Sequence, residues 1–135
     1  AAPYVKPGPH PMLFFTQITE GGGVFDQTHE EWRPPSIETT QLVACAQWSK
    51  VSLETCKYEG KSYHSVERTQ YTLALVVREA KTGKAVTGKL VGGAEPPPCP
   101  DVKAFGFGKD PNVSGGMPSE KAPETLEFLR AAHRG

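Results

Sequence analysis

Three cysteines, four histidines and several carboxylates are the residues of this chain whose chemistry could be decisive. Cys45 and Cys56 fall in "ACAQWSKVSLETCKY", and Cys99 falls in "PPPCPD". A tight hairpin centred between Lys50 and Val51 would set Cys45 opposite Cys56, on one face and within bridging reach, whereas a slip of one residue would part them. Cys99 lies in a Pro-rich loop, and tying it to a strand would close a long segment. That entropic gain favours Cys56 with Cys99, ahead of Cys45 with Cys56, and leaves one thiol over. The alternative is three reduced cysteines, with Cys45 and Cys56 acting as small buried hydrophobes. A staple suits a chain with 14 Gly and 13 Pro in 135 residues and implies an oxidising compartment.

Metal chemistry is not expected, because there is no C-x-x-C and no paired Cys/His spacing. "THEEW" at Thr28–Trp32 begins like a helical zinc motif, but position 33 is Arg where a second His is needed. His10, His29, His64 and His133 are scattered and read as surface residues. "KTG" at Lys81–Gly83 occurs in serine β-lactamases, but no Ser here is followed three residues later by Lys. "GFGKD" at Gly106–Asp110 lacks the first Gly and the Ser or Thr of a phosphate loop. A thiol–imidazole pair of Cys45 and His64 would need a partly exposed thiol near positive charge, and a strand interior is more often buried and inert. Glu54, Glu67 and His64 are what a small loop-assembled hydrolase would have to use, and sequence sets no separation between them. No catalytic residue and no cofactor is assigned. The better candidates for a site are aromatic: Trp32, Trp48, Tyr63 and the adjacent His64, on expected loops and turns, where a rigid β scaffold presents rings to a protein or glycan.

The elements that must position these residues are strands. "MLFFTQI" (Met12–Ile18) reads as a first strand. "TQLVACAQW" (Thr40–Trp48), "VSLETCKYE" (Val51–Glu59), "TQYTLALVVREA" (Thr69–Ala80) and "KAVTGKLVGG" (Lys84–Gly93) follow. In the third of these four, Tyr71, Leu73, Leu75 and Val77 share an apolar face, the alternation of an antiparallel strand with one side on a core. Gly83 supplies the positive φ of a hairpin, Ser49-Lys50 is read as another turn, and Gly60-Lys61 opens a third. A meander needs a cover, supplied by Phe14 and Phe15 or by a C-terminal helix within "SEKAPETLEFLRAAH", with Pro123 in its first turn. The expected fold is therefore mainly β, a sandwich or small open barrel with one short C-terminal helix. Residues 1–11 are read as a Pro-rich tether, and 12–135 as one domain with long Gly/Pro loops at about 19–38 and 92–118. The order of Pro-rich segment, meander, "EAKTGK" hairpin and late Cys-Pro loop resembles extracytoplasmic β-domains of bacteria in general style, and it transfers no residue role.

Fifteen basic and fifteen acidic residues cancel, which leaves no electrostatic footprint for nucleic acid. No apolar run is long enough to span a bilayer. The small-residue start "AAPYV" suits a signal-peptidase product, and Asn112-Val113-Ser114 is a formal glycosylation sequon. Together these make the chain a secreted, periplasmic or cell-surface binding or structural module. A small hydrolase is one alternative. A carrier with a ligand inside a cavity bounded by Phe14, Leu73 and Leu75 is another.

Overall fold

The computed structural model describes residues 1–17, 23–58, 64–99 and 112–135. The fold is mainly β with one short C-terminal helix, as the pattern implied. Its strands are β1 (Met12–Gln17), β2 (Val24–Asp26), β3 (Leu42–Tyr58), β4 (His64–Glu79), β5 (Ala85–Gly92) and β6 (Asn112–Ser114). The helix α1 is Pro123–Arg134. They form a single mixed sheet in the order β2-β1-β3-β4-β5, with β6 against β4. The sheet is open rather than closed into a barrel.

The expected turn at Ser49-Lys50 does not exist. Thr40–Trp48 and Val51–Glu59 belong largely to one 17-residue strand, which pairs antiparallel with β4 from Leu42↔Glu79 to Tyr58↔His64. The reason is local. Leu42 to Tyr58 contains no Gly, Pro, Asn or Asp, so no residue favours a tight turn, and Val51 and Thr55 prefer extended backbone. A register shift between Ser52 and Glu54 bends the strand instead. Cys45 and Cys56 are thus eleven positions apart on one strand, about 36 Å at strand rise, and cannot bridge. The hairpin predicted at Gly83 does form. Gly83 has φ +78°, and its N–H reaches the Glu79 carbonyl at 2.8 Å.

β1 pairs parallel to β3, with Phe14 beside Ala44, so the chain must cross over between them. That crossover carries Trp32, which is 1% exposed and whose carbonyl accepts from the Met12 N–H at 2.8 Å. Trp32 and Leu129 of α1 cover the inner sheet face made by Met12, Phe14, Leu42, Ala44, Ala46, Leu73, Leu75, Val77 and Val91. Every second residue of β1 is buried, the two-residue period of a one-sided strand. On the outer face, Leu13, Phe15, Val43 and Val76 are half-buried and Cys45 is exposed.

Residues 1–11 form no helix or strand, as four prolines require, yet they are held on the body. The Ala2 N–H bonds the Thr40 carbonyl at 2.9 Å, and Tyr4 packs against the core. His10, expected at the surface, is fully buried. Its N–H donates to the His133 carbonyl at 2.7 Å, His133 Nδ1–H donates back to the His10 carbonyl at 2.7 Å, and His10 Nδ1–H meets Gln41 Oε1 at 2.8 Å. The Nδ1 bond and the ring contact with Tyr4 at 4.7 Å offset part of the cost of burying this ring, whose Nε2 has no hydrogen-bond partner among the described residues.

At the far end of the β3–β4 hairpin, Cys56 and Cys99 form a disulfide with Cα atoms 5.7 Å apart, the pairing that loop closure favoured. Arg68 reinforces it by donating to the Pro97 carbonyl at 2.9 Å and the Pro96 carbonyl at 3.0 Å, while pairing with Glu54. The chain leaving β5 at Gly93 and the chain leaving β6 at Gly115 cross in direct contact. A Cβ on Gly115 would run into the Ala94 carbonyl oxygen, and one on Gly93 would meet the Gly116 and Tyr71 carbonyl oxygens. Only glycine allows backbones this close.

Candidate functional site

The crossing at Gly93 and Gly115 delivers the 117–121 segment to the inner side of the sheet, beside Trp48. There Trp48 Nε1–H donates to the Pro118 carbonyl at 2.8 Å, and the buried Thr125 hydroxyl donates to the Ser119 carbonyl at 3.1 Å. One strand residue and one helix residue therefore fix this segment at a set height above β1. Facing it across a gap is the stretch from β2 to Glu30. That stretch is pinned by Thr28, whose Oγ1 accepts from the Phe14 N–H at 2.8 Å.

Two adjoining cavities fill the gap. One, of about 510 Å³, is lined by Phe14, Leu126, Thr28, His29, Glu30 and Lys121 among others. The second, of about 480 Å³, is lined by Phe25, Trp48, Met117 and Pro118 over Thr16. Gln27 and Glu120 border both, so the pair makes one groove. Each falls within the size of ligand sites, about 300–1,000 Å³. Phe14, Phe25, Trp48, Met117 and Leu126 make the apolar part of the lining. Phe25 is 49% and Met117 50% exposed, although large apolar side chains usually retreat from water.

The charges on the walls differ in kind. Asp26 accepts from the Thr28 N–H at 2.9 Å and pairs with Arg33 at 3.1 Å. Hydrogen bonds from Thr28, together with the Arg33 guanidinium, hold its carboxyl below the usual value. Glu30 and Glu120 enter none of the ion pairs among the described residues. Both line the first cavity, Glu30 from the stretch after β2 and Glu120 from the 117–121 segment, with Lys121 next in sequence to Glu120.

Of the two described aromatic candidates Trp32 and Trp48, it is Trp48 that lines this groove. Trp32 is core rather than surface, because the crossover it rides must close the inner face. Tyr63 lies outside the described residues, and His64 opens β4 opposite Tyr58, at the far end of the hairpin. The groove residues that sequence reasoning passed over are Phe25, Gln27, Met117 and Glu120. Their signals were an apolar Val24-Phe25 pair and Met117-Pro118 inside stretches otherwise read as loops.

The chemistry considered from sequence is dispersed. Glu54 is engaged by Arg68, and Glu67 lies exposed opposite Thr55. Cys45 sits on the outer face opposite Val76, away from the groove. Desolvation pushes its thiol up, with Arg78 partly opposing. No group of three or more His, Cys, Asp or Glu among the described residues is placed to hold a metal. Of the residues proposed to bound an interior cavity, Leu73 and Leu75 are buried in the core and only Phe14 lines the groove. No described helix is long and apolar enough to cross a membrane. The chain matches no family model, and no curated protein or solved structure is significantly similar to it.

Proposed function

We propose that this chain is an extracytoplasmic, non-catalytic β-rich module that binds a partner in the groove between β2 and the 117–121 segment. The observation that carries this reading is the apolar lining left open to solvent, with Phe25 and Met117 half exposed in the cavity that Trp48 also lines. Contiguous apolar surface rimmed by polar groups is what recognition sites have in common. The disulfide is compatible with an extracellular location, and it braces the end of the hairpin remote from the groove. A ligand seat on a rigid sheet, closed on one side by a tethered loop, needs no moving catalytic group to work.

The test is a binding survey of the intact, oxidised chain against peptide and glycan arrays, beside Phe25→Ala/Met117→Ala. Both substitutions are at exposed positions, so thermal unfolding should change little. Binding that disappears in the double variant supports the groove. Binding that survives unchanged in a folded double variant places recognition elsewhere and ends this reading.

A further inference from the structure

Which class of ligand suits this groove is written in its two compartments, given that the groove is the binding site. We infer that it takes an extended peptide with an apolar side chain in the Phe25–Trp48–Met117 compartment and a basic side chain between Glu30 and Glu120.

The first compartment offers a seat for an apolar side chain. The Trp48 indole is half-buried, and its one N–H is committed to Pro118. Phe25, Met117 and Pro118 line the compartment with it, and Thr16, Gln27, Ser119 and Glu120 complete the lining. An unbranched Met adapts to aliphatic and aromatic shapes alike.

The second compartment is set up for a cation. Its three carboxylates are Asp26, Glu30 and Glu120. Asp26 is already satisfied by Arg33, which leaves Glu30 and Glu120 against the single ammonium of Lys121 and the imidazole of His29. A lysine or arginine entering this cavity finds a carboxylate from each of the two segments that line it, and two partners hold a cation better than one exposed pair does.

The compartments adjoin at Gln27 and Glu120. Side chains two residues apart in a strand point the same way and stand about 7 Å from each other, so residues i and i+2 of an extended peptide can enter adjoining compartments. Gln27 stands at the boundary with a carboxamide able both to donate to and to accept from a peptide backbone.

Three fluorescein-labelled, end-capped hexapeptides test this by fluorescence anisotropy on the full oxidised chain. One has leucine two residues before lysine, one has the lysine replaced by glutamate, and one has the leucine replaced by serine. The leucine–lysine peptide should bind, more weakly as salt is raised, and the glutamate peptide should bind about tenfold less tightly or not at all. Glu30→Gln/Glu120→Gln keeps the side-chain shape, so the fold should hold while the preference for lysine over glutamate disappears. Equal binding of the two charged peptides, or a lysine preference that persists in the double Gln variant, overturns the inference. If no peptide binds but a glycan does, and Phe25→Ala/Met117→Ala releases it, the peptide inference falls while the groove stands as the site. If that variant alters no binding of either class, the groove itself is refuted.

Discussion

Cys45 shows how much a residue's role depends on its neighbours. It is an odd thiol beside a disulfide pair, exposed on the outer face, yet its environment pushes the pKa above the ordinary 9.0. The thiolate is the nucleophile, so folded Cys45 should alkylate slowly at neutral pH and much faster as the pH passes above 9.0. Intact mass after unfolding should show one alkylated thiol without reductant and three with it. Three from the start would deny the Cys56–Cys99 bond. Asp26 gives a pH effect of opposite sign. Its carboxyl is held below 3.8 in the folded chain, so its ionised form favours folding above that value and the advantage fades as the pH falls through the lower folded value. Asp26→Asn should therefore lower Tm near neutrality, slightly because the pair is exposed. The gap to the parent should narrow as the pH falls through and below 3.8. A gap that stays constant in acid would assign the effect to lost hydrogen bonding alone.

At the scale of elements, the crossing of 93–94 with 115–116 deserves the closest check, because the groove wall hangs from it. Gly115→Ala places a methyl group against the Ala94 carbonyl oxygen, and backbone must move to admit it. Overpacking of this kind costs about 1–3 kcal/mol or more, which urea unfolding of parent and variant would measure. Gly23→Ala is the control, since its added methyl meets only ordinary contact with the Phe25 ring. Similar midpoints for the two variants would mean that the crossing is looser than its geometry indicates. The same crossing sets the run that leaves β5 beside the run that leaves β6. Residues 94–99 reach the disulfide at the far end of the hairpin, and 115–121 run past Gly93 to form one wall of the groove.

For the whole molecule, one sheet face is closed by α1, Trp32 and the N-terminal segment, and all three interlock. Leu129 is fully buried at their centre, and the His10–His133 bonds clamp the helix end to residues 1–11. Leu129→Ala should cost about 2–5 kcal/mol and should weaken groove binding as well, because Leu126 of the same helix and Ser119, bonded to Thr125, both line the groove. Denaturant titration with and without bound peptide would register both effects. A stability loss with no change in affinity would show the helix to be only a cover.

The sequence by itself determined the strands with strong two-residue alternation, the Gly83 hairpin and the helix beginning at Pro123, because these rest on backbone preferences and local spacing. It also favoured Cys56 with Cys99 through loop closure alone. What it did not determine is where a strand continues. Ser49-Lys50 is polar enough for a turn and extended enough for a strand, and pairing with β4 along the full hairpin decides for the strand. Nor did it place Trp32 in the core, His10 out of water, or β1 parallel to β3, since each follows from contacts across dozens of residues. The groove belongs wholly to that second class. Its floor comes from β1, β3 and α1, its walls from two segments with no periodicity of their own, and only the tertiary structure, by crossing the chain at paired glycines, brings Glu30 and Glu120 to one cavity.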